Sequence, residues 1–246
     1  MGKTLNQFLA SVLINSIYEM KNYPVILINT VLSPLSFLIL ITIASGGSLF
    51  SNAIEGGLIM TMFSSGTALQ GDLSHLKNDY RIQDMVVASP ARAGAYVAGM
   101  TISELIYSSP AIVILSALFY FYVHVTAIQL GSIVAVMLLM FLTSVSIGFL
   151  LATISSDIVQ SFAFTRLLST LFTTIPPVYY PITFIPLPWR YLAYFSPTTY
   201  ASEIAQNAAG LVNQSAFNID LAWIVLVAVT VVFLGVSFTK ARWREK

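Results

Sequence analysis

Residues 176–203 read PPVYYPITFIPLPWRYLAYFSPTTYASE, and this stretch decides how the chain can cross a membrane. It places six prolines among tyrosine, phenylalanine, tryptophan and aliphatic residues. Proline lacks an amide hydrogen and fixes φ, so the pattern forbids one continuous spanning helix, while the aromatic rings suit a membrane–water boundary. The stretch predicts a helix end, a short half-inserted hairpin and a return helix from about Thr198. Protein or a water-filled cavity must cover the backbone of such a hairpin.

The composition of the whole chain places it in a membrane. Of its 246 residues, 57% are hydrophobic and only 9% are charged, which exceeds the apolar content of a soluble domain. The formal charge of +1 and the scattered lysines and arginines argue against a nucleic-acid partner. The absence of cysteine excludes disulfides and thiolate metal sites. We therefore expect a polytopic membrane protein that contacts lipid.

Six segments satisfy the rule that a spanning helix takes about 20 apolar residues. They are residues 24–46, 52–73, 95–123, 130–155, 158–180 and 219–240. Residues 1–22 alternate apolar and polar side chains at helical spacing, which predicts an amphipathic helix on the membrane surface. A signal peptide is the alternative, but no small-residue cleavage pattern follows the short apolar run.

The predicted fold class is therefore an all-α membrane protein. An interfacial helix (1–22) precedes a six-helix transmembrane domain (23–246), and an outer re-entrant helical hairpin (181–210) lies between spans five and six. If the N-terminus is cytoplasmic, that face collects almost all lysines and arginines, and only Arg190 lies opposite. This bias predicts cytoplasmic termini and an external hairpin in a multi-pass protein of the plasma membrane.

The predicted cytoplasmic loop, residues 74–95, contains a candidate docking segment. Residues 78–88 can form a short helix that ends before Pro90, and it would carry an apolar ridge made of Tyr80, Met85 and either Val86 or Val87. An exposed apolar ridge favours a docking helix for a cytoplasmic partner. A plain solvated connector is the alternative.

Two motifs on opposite predicted faces give the chain a family resemblance. One is DMVVASP at 84–90, followed by Tyr96 and Gly99. The other is YYPITFIPLPW at 179–189, followed by SPTTY at 196–200 and Glu203. With six spans and a short surface helix, the chain resembles the membrane subunit of ABC-2 type ABC transporters that export drugs and lipids.

The resemblance implies a homodimer or heterodimer of such subunits with a separate ABC ATPase. ATP and Mg would be bound by that partner, and this chain would bind no cofactor. The ATPase-coupling residues would be Tyr80, Arg81, Asp84, Met85, Val86, Ala88, Ser89 and Pro90. The residues that cap the translocation path, as an outer gate, would be Tyr179, Tyr180, Pro181, Phe184, Pro186, Pro188, Trp189, Pro197, Tyr200 and Glu203. A plain interfacial aromatic belt is the alternative for the second set.

Two charges fall inside predicted spans, where an ionisable group is a functional candidate by default. Glu104 and Arg166 each lie nine residues into their spans and so share a depth of roughly 13 Å. We expect them to pair across the third and fifth spans or across a dimer. Alternatively, each side chain reaches independently for cytoplasmic water.

No catalytic or metal-binding residue is predicted. The two histidines, His75 and His124, fall on opposite predicted faces, so a serine–histidine pair cannot form in one site. The expected function is that of a permease subunit moving a drug, lipid or glycolipid outward by alternating access. An ion-coupled secondary transporter is the alternative of another class, although the two halves of the chain do not repeat convincingly. A purely structural membrane anchor would not need the hairpin.

Overall fold

A computed structural model describes residues 2–22, 24–78, 93–155, 157–174, 176–213 and 216–240. Within these ranges the regular elements are helices and no strand occurs, which confirms the predicted all-α class. The α-helices are α1 (Gly2–Val12), α2 (Glu19–Asn22), α3 (Pro24–Ala44), α4 (Phe50–Asn78), α5 (Ala93–Tyr122), α6 (Ala127–Ile154), α7 (Ile158–Ser169), α8 (Arg190–Ala193), α9 (Pro197–Ala208) and α10 (Ala216–Lys240). Leu13–Tyr18 and Thr170–Thr174 are π-helical, and Ile182–Phe184 form a 3₁₀ turn.

Four of the described helices are long and apolar enough to cross a membrane. They lie in α3, α5, α6 and α10 and agree with four of the six predicted spans: Leu27–Ala44, Ala95–Tyr122, Ala127–Ile154 and Asn218–Ser237. The other two predicted spans, 52–73 and 158–180, correspond to α4 and to α7 with its π-helical extension. The first is more polar than a lipid-facing helix, and the second stops at Thr174, ahead of Pro176 and Pro177. Their crossing of the membrane stays a prediction.

Helix α4 is the centre of the bundle. It packs most extensively against α6 and also contacts α3, α5, α7 and α9. Every side chain from Asn52 to Phe63 is buried. Because its neighbours shield it from lipid, this helix does not need a uniformly apolar surface. With 29 residues it is about 43 Å long, enough to run through the whole bundle.

Small and hydroxyl-bearing residues hold α4 and α6 close together. A β-carbon at Gly66 would collide with Ser144 and with the backbone of α6, and Gly148 of α6 faces the Gly66 carbonyl. The Ser144 Oγ donates to the Met62 carbonyl at 3.2 Å. Close backbone approach and interhelical hydrogen bonds are the contacts that stabilise helix pairs without a hydrophobic driving force. Helices α4 and α6 are therefore closely packed.

Glycines and side-chain caps form the connections between consecutive helices. Gly46 and Gly47 adopt positive φ values of 59° and 88°, which lets α3 end in a tight turn before α4. Thr126 and Gln129 form a reciprocal capping box at the start of α6. The Asp157 carboxylate accepts from the Gln160 amide and caps α7. These short connections keep consecutive helices adjacent in the bundle.

The N-terminal helix lies against α5. The Ser11 Oγ donates to the Tyr96 carbonyl at 3.1 Å, and a β-carbon at Gly99 would collide with Ser11. Side chains on the opposite side of this segment are apolar and exposed: Leu5, Leu9, Leu13, Ile14 and Ile17. An exposed apolar stripe suits contact with a membrane surface, and that placement remains a prediction.

The predicted loop at 74–95 is shorter than expected. Helix α4 continues to Asn78 and α5 already begins at Ala93, so both ends of the predicted loop are helical. His75 packs its ring against Phe162 of α7 at a centroid distance of 5.8 Å. Packing against α7 explains why α4 continues beyond the predicted boundary.

Candidate functional site

The proline break at residues 176 and 177 leaves backbone carbonyls that the interrupted helix cannot satisfy. Side chains of α9 donate to them. The Thr198 Oγ1 lies 2.9 Å from the Phe172 carbonyl oxygen, and the Ser202 Oγ lies 3.2 and 3.1 Å from those of Pro177 and Val178. Irregular backbone at membrane depth is stable only when protein groups satisfy it in this way. Helix α9 therefore holds the break together.

A third side chain of α9 completes this arrangement. The Gln206 Nε2 donates to the Ser202 Oγ at 2.8 Å and to the Val178 carbonyl at 3.4 Å. Thr198, Ser202 and Gln206 are spaced four residues apart and so form one stripe along the helix. Sequence reasoning missed this polar stripe, although its i, i+4 spacing within TTYASEIAQ was a usable signal.

The ten predicted gate residues divide into two groups. Tyr179 is buried and stacks on Phe37 of α3 with ring centroids 5.4 Å apart. The side chains that face the protein are Tyr179, Pro181, Pro197 and Glu203, with Tyr180 and Tyr200 half-buried, and the exposed ones are Phe184, Pro186, Pro188 and Trp189. The structure therefore does not bring all ten into one layer.

A small polar cluster links the two arms of the hairpin. The Tyr194 hydroxyl donates to the Glu203 carboxylate at 3.1 Å, and the rings of Tyr194 and Tyr200 lie 5.7 Å apart. Burial, and then the neighbouring Glu203 charge, raise the pKa of Tyr194 to about 12. The same causes raise the pKa of Tyr200. Both hydroxyls therefore stay protonated at neutral pH, and Tyr194 remains a donor.

Arg190 stabilises the turn of the hairpin. Its guanidinium donates to the carbonyls of Thr183, at 3.2 Å, and of Ile185, at 3.1 Å from Nη2. Arg190 is thus used for local structure.

The predicted ATPase-coupling residues lie outside the described residues. All eight, from Tyr80 to Pro90, fall between the end of α4 at Asn78 and the start of α5 at Ala93. Their role in docking stays a prediction.

A cavity of about 330 Å³ opens among α2, α3, α4 and α5. On α4 it is lined by residues between Thr61 and Asp72, from the middle of the helix towards its C-terminal end. Its lining is polar and acidic: Glu19, Asn29, Thr30, Ser33, Thr61, Ser64, Ser65, Ala68, Asp72, Glu104, Tyr107 and Ser108. A concave polar site of this size at a helix junction is a candidate binding site.

Three carboxyl groups approach one tyrosine in this cavity. The Tyr107 hydroxyl donates to the Glu19 carboxylate. Glu104, only 5% exposed, and Asp72 line the same cavity as Tyr107. Sequence reasoning had singled out Glu104 and missed the two other acids, since Glu19 and Asp72 reach the cavity from different helices.

The predicted pair of Glu104 and Arg166 does not form within this chain. Glu104 faces Asp72 and Glu19, whereas the side chain of Arg166 in α7 is exposed. Equal depth was not enough, because Glu104 lines the cavity and Arg166 is not among the residues that line it. Pairing across a dimer stays a prediction.

A fourth carboxyl lies buried in α4 outside the cavity. Glu55 is 0% exposed, and neither of its carboxyl oxygens has a hydrogen-bond partner among the described residues. The Asn52 amide nitrogen, one turn earlier, is likewise unpartnered there. Burying a polar group without a partner is costly, so these two groups are candidates for a role beyond stability.

The fold and these sites define a class of protein: a helical membrane protein whose bundle contains a proline-broken segment and a polar cavity. The sequence model of the ABC-2 type transporter family matches residues 6–209, which is most of the chain. The chain therefore belongs to the ABC-2 type transporter family. A comparison with curated protein sequences found no match.

Proposed function

We propose that the chain is the permease subunit of an ATP-driven exporter. Two copies, or one copy and a related subunit, would enclose a path for an amphipathic or hydrophobic substrate such as a drug, lipid or glycolipid. ATP and Mg would be bound by a separate ABC ATPase. The path would open alternately to the cytoplasm and to the outside, and the substrate would leave at the hairpin.

The position of α4 is the observation that carries this proposal. Its last residue, Asn78, directly precedes the proposed coupling segment, and its outer half packs against the hairpin at Val178. A rigid helix can transmit a displacement along its whole length. Movement of an ATPase against residues 79–92 would therefore reach the hairpin through α4.

Helix α7 would move together with the coupling end of α4. The Gln70 Nε2 donates to the Ser161 carbonyl at 2.8 Å, and the Thr165 Oγ1 donates to the Gln70 Oε1 at 2.9 Å. The Ser74 and Ser161 hydroxyls lie 2.6 Å apart. Helix α7 leads into the proline break. The contacts between α4 and α7 would therefore also transmit a displacement to the hairpin.

The proposed topology has six crossings, cytoplasmic termini and an external hairpin in the plasma membrane. The chain has no cysteine, so single cysteines report accessibility without background. A Trp189→Cys variant in intact cells is expected to react with a membrane-impermeant maleimide, and a Met85→Cys variant only after permeabilisation. The reverse pattern would overturn the orientation.

The experiment that tests the function is isolation of the tagged chain from native membranes in mild detergent, followed by reconstitution. An ABC ATPase is expected to co-purify, and substrate transport is expected to require Mg-ATP and to persist without an ion gradient. The acidic cavity favours one other candidate, an ion-coupled secondary transporter, since intramembrane carboxyl groups serve as ion relays. Transport that follows an ion gradient and ignores ATP would establish that candidate instead.

A further inference from the structure

Two polar groups, the polar pair, are buried without partners near the N-terminal end of α4. Glu55 is 0% exposed, and neither of its carboxyl oxygens has a hydrogen-bond partner among the described residues. The amide nitrogen of Asn52, a residue that is 6% exposed, is unpartnered in the same sense. The two residues are three apart in sequence, so they lie on the same side of the helix. Each of them destabilises the state in which it is buried.

The helices around α4 offer Glu55 no buried basic partner. Helices α3, α5, α6, α7 and α9 pack against α4. Over the ranges in which they are described, these five helices contain one basic residue, Arg166 of α7, and its side chain is exposed. Along α4 itself the nearest basic residue is His75, about 30 Å further on at the helical rise. Water is therefore the partner at hand once this end of α4 is exposed.

The proline break covers this end of α4. Gly56 follows Glu55 directly, and a β-carbon at Gly56 would collide with the backbone of Val178 and Tyr179. The side chains of Val178 and Tyr179 are themselves buried, and they belong to the same core cluster as Ala53 of α4. Glu55 lies only about 8 Å from the N-terminal end of α4. Separation of the break from α4 would therefore admit water to the polar pair.

We propose that residues 176–180 form a lid over the polar pair, and that hydration of Glu55 and Asn52 favours the state in which the lid is lifted from α4. The proposal rests on the exporter function proposed above and adds to it a device that sets how readily the hairpin end opens. In the closed state the carboxyl and the amide lack partners, and in the open state water supplies them. The polar pair therefore lowers the free energy that a displacement of α4 must provide to open the path.

The test measures how often the lid lifts, from the reactivity of a cysteine placed in it. The chain has no cysteine, and Val178→Cys puts one at a fully buried position that contacts Gly56. The full-length chain in lipid nanodiscs, with any subunit that stays bound, reacts with a water-soluble maleimide in the absence of nucleotide. Glu55→Met is expected to slow this reaction about tenfold, because opening no longer hydrates a carboxyl. Gly56→Ala is expected to speed it about tenfold, because the added methyl group pushes the lid from α4.

Three controls separate lifting of the lid from general stability. Asp220→Asn removes an exposed acid of α10, and Gly71→Ala adds a β-carbon that meets open space. Both are expected to leave the labelling rate of Val178→Cys unchanged. Ala152→Cys, at a buried position of α6, reports opening of the rest of the bundle. Glu55→Met is expected to change the labelling rate there by less than about twofold.

Asn52→Cys replaces Val178→Cys if the latter fails to fold, and the same pattern is expected. Labelling in the lid that Glu55→Met leaves unchanged or accelerates would overturn the inference, as would equal slowing at Ala152→Cys. Each of these results leaves the exporter proposal intact. Mg-ATP is expected to speed the labelling of Val178→Cys in the complex with its ATPase. Lid variants that behave as expected, with no effect of Mg-ATP, would count against the exporter proposal alone.

Discussion

The backbone carbonyl of Val178 lies against Gly56 of α4 so closely that a β-carbon at Gly56 would collide with it. This contact joins the central helix directly to the residue that follows the proline break. Because neither side of the contact is a flexible side chain, the two backbones cannot move closer together at this point.

Gly56→Ala is expected to lower stability and to impair transport. The added methyl group forces apart two backbones, at a cost of about 1–3 kcal/mol that exceeds the helix-propensity gain of about 1 kcal/mol. Gly71→Ala on the same helix is the control, since nothing lies within 4 Å of its β-carbon position. Thermal unfolding in detergent and reconstituted transport measure both effects. Equal melting temperatures for the two variants would contradict the tight contact.

Ser202→Ala is expected to loosen the proline break. The substitution removes the donor to the Pro177 and Val178 carbonyls, which are buried, and costs about 1–3 kcal/mol. Ser48→Ala, at an exposed turn, is expected to change stability by less than about 0.5 kcal/mol. Limited proteolysis of the hairpin and thermal unfolding report the difference. A Ser202 variant as stable as the Ser48 variant would show that α9 does not hold the break.

Glu55→Met is expected to raise stability and to reduce transport. The carboxyl oxygens have no partner among the described residues, and an apolar side chain of similar size removes that desolvation cost of about 1–3 kcal/mol. Glu203→Met is the contrast, because Glu203 accepts a hydrogen bond from Tyr194 and its loss is expected to destabilise. The two melting temperatures should move in opposite directions. A Glu55 variant that melts earlier than the wild type would mean that this carboxyl is structural.

The hairpin is expected to resist alkaline pH until well above neutrality. The folded-state pKa of Tyr194 is raised from 10.0 to about 12, so the folded chain holds this proton more tightly than the unfolded chain. The resulting stability is fully present below pH 10 and is lost as the pH rises through about 12. The difference in tyrosinate absorbance between the wild type and Tyr194→Phe isolates this titration. A difference midpoint near pH 10 would contradict the hydrogen bond between Tyr194 and Glu203.

Much of the fold was predictable because residues next to the helix ends in the sequence determine where those helices begin and end. Prolines 176 and 177 end one helix, Pro197 begins another, and the four most apolar spans agree with the predicted ones within a few residues. Helix α4 was harder to place, because a helix surrounded by other helices carries Glu55, Asp72 and many hydroxyl groups without facing lipid. Span length and apolar content describe lipid-facing helices best.

The sites were predictable only where neighbours in sequence are neighbours in space. The hairpin residues were found together because they are consecutive, but their division into buried and exposed groups depends on α3 and α9. The Glu104–Arg166 pair was predicted from the equal depth of the two residues along their helices. Contact also depends on how each helix is rotated about its own axis. The acidic cavity combines residues from four helices, and no local pattern brings Glu19, Asp72 and Glu104 together.

The central claim is that a separate ATPase drives the hairpin from the opposite end of α4 through residues 79–92. The most direct measurement is ATP-driven transport by the reconstituted complex carrying Met85→Asp, alongside its rate of ATP hydrolysis and its membrane insertion. A charge placed in the proposed apolar docking ridge is expected to lower the transport rate at least about tenfold, while membrane insertion and ATP hydrolysis persist. Asp220→Asn is the control and is expected to transport at the wild-type rate. Transport by Met85→Asp at the wild-type rate would contradict the account.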